Sequence, residues 1–421
     1  MIIFPRVLFL RPCDQNSKKL TSGALVESCI FQRSFFEYDD HSIQPARRGT
    51  ILGNTLESTL SSDLSTPALI LDRPIIQRNL ERLDRYCRSR QLRLRPHTKT
   101  HKSLHFAALQ MKHGASGLTA AKVGEAELMA TISSDILLAY PAVDAARCQR
   151  IALLARKANV TVSIDSTVAA DALSAAAALA GADIRILVEL DVGLGRTGVA
   201  SAVAAVELGR YISRLPSLRL AGLMLYPGQI ITPPAEQTGP LGLVAEKLAA
   251  AMRLWRQNDL SLEIVSGGST PTAYQSHLVP GMTEIRPGTY IFNDVNTLRS
   301  GCCKLEDCAA TLICTVVSDA VPGQVVIDAG SKTLTNDRCW PDPDSGFGLV
   351  VEYPQARITK LSEEHGQVDV RGCERRPKVG ERVTVIPNHI CPCINLQDTV
   401  WLRKDPNTIE PLRVDARGML I

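Results

Sequence analysis

Two lysines and two histidines crowd into the six residues His97 to Lys102 of RLRPHTKTHKS, directly after the alternating run LRLRP. A lysine amine forms a Schiff base with an aldehyde once it has lost its proton, and a buried strand end beside other cations favours that loss. A solvated basic patch or a nucleic-acid contact would explain the same cluster. In VIPNHICPC, His389 and Cys391 stand two apart. On a strand that spacing puts both side chains on one face, and an imidazole with a thiolate suits zinc. Two such ligands leave an open site for water or substrate, with Cys393 on the same face as a third ligand or a bystander. A partly buried histidine beside structural cysteines is the alternative. The third group is SGGSTPT at 266–272. Its glycines allow close backbone approach, and a helix start after Pro271 can hold a phosphate through N–H groups and the helix dipole; an ordinary loop has the same composition.

What must position these groups is a regular beat of strands and helices. Short apolar runs recur at 92–96, 117–121, 135–141, 160–166, 184–193, 218–228, 262–268 and 284–292, with Ala/Leu-rich amphipathic stretches between most of them. Eight strands alternating with helices over roughly 200 residues is the rhythm of a TIM-type (β/α)8 barrel. A doubly wound sheet would usually carry a glycine-rich phosphate fingerprint after its first strand, and here that strand ends in HTKTH. Barrel chemistry collects where strands run out at their C-terminal ends. Lys99, Asp165, Arg196, Tyr226, the SGGST turn and RPGTY (Arg286 to Tyr290) all fall at such ends. A phosphate held after the seventh strand, with Lys99 across the mouth, suggests a phosphorylated carbonyl cofactor.

Three regions are expected in the 421 residues: an N-terminal extension over 1–63, the barrel over 64–300, and a β-rich domain over 301–421, where the helix rhythm stops. Forty-seven basic against 43 acidic residues, a net charge of +4, make polyanion binding a poor reading. Twelve cysteines without a signal-peptide pattern point to reduced thiols in the cytoplasm. The opening MIIFPRVLFLRP is interrupted by Arg6 and too short to span a bilayer. Mitochondrial targeting by this segment is opposed by Asp14, Glu27, Asp39 and Asp40.

Taken in order, RPHTKTHKS, GLGRTGV, SGGSTPTAY, EIRPGTYIFND, IDAGSKTL, LSEEHG and PNHICPCINL resemble the D-threonine aldolase and D-serine dehydratase family, over residues 64–405. The resemblance implies an alanine-racemase-like pyridoxal 5'-phosphate (PLP) barrel and a C-terminal metal-binding β domain. It further implies a homodimer, with the active site between the barrel of one subunit and the β domain of the other. Lys99 is then the Schiff-base lysine and Arg196 faces the pyridine nitrogen. Gly267, Gly268, Ser269 and Thr270 hold the phosphate, helped by Gly288, Thr289 and Tyr290. His389 and Cys391 are implied to hold a divalent metal, zinc or else manganese or magnesium. Tyr226 is a ring or substrate contact, while His101 and the EEH of Glu363, Glu364 and His365 are pocket candidates. Asp294, Asp328 and Lys332 match family patterns with either a structural or a site role. The implied activity is a lyase of D-β-hydroxy-α-amino acids: retro-aldol cleavage, or dehydration to a 2-keto acid and ammonia, or an aldol-type reaction on an unusual amino acid.

Overall fold

The computed structural model describes residues 64–340 and 342–421; the expected N-terminal extension lies outside them. The first strand, β1 (Ala68–Asp72), is followed by a helix over Arg73–Ser89 with Pro74 in its opening turn. Then come eight short strands: β2 (Arg93–Leu94), β3 (Leu118–Ala120), β4 (Asp135–Leu138), β5 (Asn159–Ile164), β6 (Ile184–Leu190), β7 (Leu218–Leu225), β8 (Ile264–Gly267) and β9 (Glu284–Ile285). They are parallel and hydrogen-bonded in the order β2-β9-β8-β7-β6-β5-β4-β3. A parallel bridge between His97 and Thr119 joins the two ends, so the sheet closes into the expected barrel. β6 and β7 are almost continuously apolar and buried because helices cover one face and the barrel interior fills the other. Local chemistry sets where the connections stop. Asp144, Ser166 and Ser201 each accept a backbone N–H at the start of the next helix, and Gly181 closes the helix Thr167–Ala180 at φ +63°.

An ion network sits at the N-terminal rim of the barrel. Arg95, just past β2, donates through Nε to both oxygens of Glu284 on β9 at 3.0 Å. It also reaches Asp135 on β4 at 3.1 Å, which in turn meets Arg185 of β6. The side chains of Arg95 and Glu284 are 2% and 0% exposed, so each depends on the other for its charge to be tolerated there.

Beyond residue 300 the fold is a mixed sheet built from β10 (Ala310–Ser318), β11 (Gln324–Ile327), β12 (Gly348–Val350), β13 (Arg357–Leu361), β14 (Gly366–Asp369), β15 (Arg382–Pro387), β16 (Thr399–Asp405) and β17 (Thr408–Arg413). The strand β1 also belongs to this sheet, although its residues precede the barrel. It pairs antiparallel with β10 and parallel with β16. The chain therefore starts in one sheet, crosses to the barrel and returns. The carboxylate of Asp328 accepts from the Thr66 hydroxyl and from the Thr315 backbone at 2.8 Å, a structural role that ties this start to β10.

Lys102, the one basic residue of the opening cluster that the sequence leaves to solvent at the start of the next helix, is buried instead. Its ammonium donates to the carbonyls of Ala416 and Met419 at 3.4 and 3.3 Å. The C-terminal tail is thereby held against the barrel, helped by Ala416 N–H to Lys102 O at 2.8 Å.

Replacing Arg95 by Met leaves the buried Glu284 without its bidentate cation, with the Ser266 hydroxyl and the more distant Arg93 as remaining partners, and is expected to lower stability by about 3–5 kcal/mol. The double variant Arg95→Met, Glu284→Met should recover a large part of that loss in denaturant unfolding followed by tryptophan emission. Additive losses in the double variant would show that the pair is not coupled.

Candidate active site

The C-terminal end of the barrel opens onto a cavity of about 470 Å³ whose wall includes His97, Lys99, Arg196, Tyr226, Arg286 and Cys391. Lys99 lies in the 3-10 turn Thr98–Thr100 after β2, and its side chain is exposed within the cavity rather than buried. The turn is fixed from below. The Thr98 hydroxyl bonds both Glu125 Oε1, at 2.6 Å, and Thr119 O, at 3.0 Å, with Glu125 also accepting from Ala121 N–H. His97 is held well below its ordinary pKa by burial and by the charges of Lys99 and Arg286, so it is neutral, and its Nδ1 accepts the Lys99 backbone N–H at 3.4 Å.

Arg196 stacks over the Tyr226 ring, 4.8 Å from its centroid. Arg286 is fully buried and is brought down to about 10 by that burial, against the pull of Glu284 and Glu189. It donates to Ser266 Oγ at 2.7 Å and to Leu225 O at 2.9 Å. Glu189 lies nearby, pushed up by burial and opposed by a hydrogen bond from Thr197. Arg286 falls in the RPGTY stretch at a strand end, without an assigned role there, and Glu189 sits inside an apolar run with no motif of its own, so spacing alone does not single it out.

The turn after β8 and the loop after β9 form the opposite wall. Gly268 has φ +79°, open to glycine and strained for other residues, and it lines the cavity with Ser269 and Thr270. Gly288 N–H is held by Thr270 Oγ1 at 3.3 Å, and a Cβ at Gly288 would stand 2.7 Å from Thr100 Oγ1 and 3.1 Å from His97 O. Two loops that admit only bare backbone, next to hydroxyls and a buried arginine, make a cradle whose donors suit a phosphate. With the Lys99 amine across it, the cavity fits PLP.

The histidine–cysteine pair reaches the same cavity, but not as two residues on one strand. β15 ends at Pro387, His389 caps a short helix over Ile390–Asn395, and Cys391 sits in its first turn. Cys393 therefore turns inward, is fully buried, and contacts Leu334 O and His389 O at 3.5 and 3.3 Å, away from the cavity. His389 Nδ1 meets Asp337 Oδ2 at 2.8 Å, leaving the other ring nitrogen for a metal, the usual arrangement behind a ligating imidazole. Cys391 Sγ meets Thr100 Oγ1 at 3.2 Å and Thr289 Oγ1 at 3.6 Å. Burial pushes the Cys391 thiol up, yet His389, Lys99 and Thr100 outweigh it and bring it below its ordinary value. Burial opposes the charge on His389, and Cys391 with Asp294 and Asp337 raises it to about 10. A cysteine sulfur whose proton is loosened, beside an imidazole, is a donor pair suited to zinc. No group of three or more metal-holding His, Cys, Asp or Glu side chains occurs among the described residues.

Asp294 sets this geometry. One oxygen caps the helix Val295–Arg299 through Thr297, and the other accepts Ile390 N–H at 3.1 Å, pinning the turn between His389 and Cys391. Lys99 and the pair line one cavity within a single chain.

Four expected positions fall elsewhere. His101 is buried in the barrel wall, bonded through Nε2 to Gln110 at 3.1 Å and brought down to about 4 by burial. Gln110 also donates to the Tyr290 hydroxyl at 3.3 Å, so Tyr290 points into the same wall. Gly267 ends β8 beneath the cavity, where a Cβ would run into Met282. Glu363, Glu364 and His365 form the exposed turn between β13 and β14, with Glu364 paired to Lys332 at 2.7 Å.

Residues 71–295 match the family described as alanine racemase, N-terminal domain, and residues 309–402 match the putative serine dehydratase domain. The chain is 30% identical over 361 residues to a D-threonine aldolase of Arthrobacter sp, covering 84% of this chain and 93% of that one. It is 32% identical over 355 residues to the D-threo-3-hydroxyaspartate dehydratase of Delftia sp. (strain HT23), covering 78% and 91%. Among solved structures, the D-threonine aldolase of Filomicrobium marinum superposes with a TM-score of 0.79 at 31% identity, covering 85% of this chain and 97% of that one. A cysteine-to-alanine variant of a D-threo-3-hydroxyaspartate dehydratase, solved metal-free, superposes with a TM-score of 0.77 at 27% identity, covering 83% and 97%. No helix among the described residues is long and apolar enough to cross a membrane. Barrel, β domain and relatives together show that this chain belongs to the D-threonine aldolase and D-serine dehydratase family of alanine-racemase-like PLP enzymes.

Proposed function

We propose that the protein is a PLP- and divalent-metal-dependent lyase that cleaves D-β-hydroxy-α-amino acids to glycine and an aldehyde. The observation that carries this reading is that Lys99, the glycine-hydroxyl cradle and the His389–Cys391 pair all face one cavity. PLP, when bound, supplies an aldehyde for the amine to condense with and a ring that draws electrons from the bond to be broken. Lys99 supplies the amine, and the neutral His97 beside it adds no further positive charge. Gly268, Ser269, Thr270, Gly288 and Thr289 are the residues whose backbone and hydroxyls would hold the PLP phosphate. Arg196 would be the residue beside the ring nitrogen, where a guanidinium, which does not readily give up a proton, would leave that nitrogen unprotonated and limit electron flow into the ring. That limit would give a metal held by His389 and Cys391 a purpose, as the Lewis acid for the β-hydroxyl.

A cysteine sulfur ligand favours zinc over the harder manganese or magnesium, and a D-threo-3-hydroxyaspartate dehydratase is known as a cysteine-to-alanine variant in the metal-free form. That supports dehydration, to a 2-keto acid and ammonia, as the second reading. A homodimer belongs to the same proposal, supported by the family to which the chain belongs.

Purified protein should cleave D-threonine to glycine and acetaldehyde and D-serine to glycine and formaldehyde; ammonia with 2-oxobutyrate from D-threonine or pyruvate from D-serine instead would establish the dehydratase. No product with PLP and either zinc or manganese would end both readings. The lysine-dependent visible absorbance of the PLP-loaded protein should vanish in Lys99→Ala, and turnover should fall by at least ~10²–10⁴-fold. Metal affinity, read by chelator competition, should drop about 10–100-fold in Asp337→Asn, the expected effect of removing a carboxylate behind a ligating imidazole. Unchanged zinc retention in both Asp337→Asn and Cys391→Ala would place the metal elsewhere.

A further inference from the structure

Beside the Lys99 cavity lies a second chamber of about 570 Å³, and the two share Tyr226, Thr270, Pro271, Thr289 and His389. We propose that this chamber receives the substituent on the β-carbon of the substrate, and that it selects an uncharged aryl group over a second carboxylate. The inference rests on the lyase reading above and specifies its substrate class.

Three observations carry it. The chamber adjoins the place where a β-hydroxyl would be held, because His389 lines both spaces. Its size lies in the range of whole ligand pockets, so a methyl group would leave most of it unfilled. Its walls offer ring and apolar faces from Tyr226, Ile231, Pro271 and Trp340, with amides and hydroxyls from Gln229, Asn296 and Ser300. Among the described residues, no lysine or arginine lines it. Its charged groups are His389, already engaged by Asp337, and the buried Asp294, whose oxygens are taken by Thr297 and Ile390. A carboxylate entering here would be stripped of water beside another acid, with no free cation to receive it.

Trp340 gives the chamber its aromatic lid. The residue is 61% exposed, and its backbone N–H is fixed by Asn296 Oδ1 at 3.0 Å. An aryl group below it would cover part of that ring and stack against it at little entropic cost. Arg338, the nearest cation in sequence, is turned away, with its guanidinium 4.0 Å from the centroid of Phe347.

The test compares kcat/KM of the holoenzyme for β-phenylserine, threonine and 3-hydroxyaspartate, all as D-threo substrates. Phenylserine should exceed threonine by about 10–200-fold, and 3-hydroxyaspartate should be the poorest of the three. Trp340→Ala should lower the phenylserine value about 10-fold more than the threonine value, through KM, and Ser300→Arg should raise the 3-hydroxyaspartate value. A binding readout independent of turnover is the tryptophan emission on titration with D-phenylalanine, which lacks the hydroxyl. The change should saturate in the wild type and be lost in Trp340→Phe. A wild type that prefers 3-hydroxyaspartate, or a Trp340→Ala variant that loses all three substrates equally, overturns the chamber's role while leaving the lyase intact. Absence of product from all three overturns the lyase reading and the chamber with it.

Discussion

The strand that leads to Lys99 is among the shortest in the barrel. β2 pairs with β9 at Arg93–Glu284 and Leu94–Ile285, backbone bonds from Arg95 N–H to Ile285 O and His97 N–H to Pro287 O carry the ladder on, and Ser116 N–H to Leu94 O, Thr119 N–H to Pro96 O and the His97–Thr119 bridge hold its other side. Side chains brace this short ladder at both ends. Arg95 does so at one end, clamped by Glu284 and Asp135, and Thr98 does so at the other, clamped by Glu125 and Thr119 O. Burying an ion pair contributes little net stability against an apolar replacement, but losing one partner is costly. The network is thus better understood as fixing the register of a short strand than as a source of stability. Every distance from Lys99 to the rest of the cavity inherits that register.

A second constraint brings the β domain to the amine. His389 and Cys391 lie almost three hundred residues after Lys99, yet Cys391 touches Thr100, the residue following the lysine. Asp294 supplies the link, since it caps a helix at the end of the barrel segment while holding the backbone of Ile390. Its burial raises its pKa, opposed by His389 and by its hydrogen bonds. One carboxylate thus sets the barrel's exit, the turn of the histidine–cysteine pair and the electrostatics around His389.

The eight barrel strands were legible in the sequence because each is a short apolar run bounded by turn residues, and covered parallel strands leave that mark. Lys99 was not singled out by composition; neighbouring lysines look alike in sequence, and Lys102, which resembles a solvated residue, is the buried one. His389 and Cys391 were recognised as a pair for the wrong local reason. Their spacing suggests a strand face, whereas Pro387 ends the strand and the pair straddles the start of a helix, which sends Cys393 into the core. Tyr290 and His101 stand beside true cavity residues in sequence, but the 3-10 turns that carry them rotate both side chains into the barrel wall. β1 has the composition of a barrel strand, and only its pairing with β10 reveals its sheet. The second chamber had no sequence signature at all, being assembled from 226–231, 296–300 and Trp340, segments that meet only in the folded chain.

The charges around the two cavities form a consistent set. Lys99, Arg196 and Arg286 face the first cavity, with Glu189 tied to Thr197 and His97 kept neutral. Such an excess of positive charge suits a cofactor phosphate together with the carboxylate of one amino acid. Cys391, at the boundary between the spaces, is the group that would offset part of the charge of a divalent ion in the proposed site. The second chamber, by contrast, adds Asp294 and no cation. A substrate carrying one carboxylate and a neutral side chain meets its complement on both sides of His389, whereas a dicarboxylic substrate has only one of its charges provided for. The segregation of charge between two connected spaces, rather than any single residue, is what would let one PLP scaffold distinguish substrates that share the same reacting atoms.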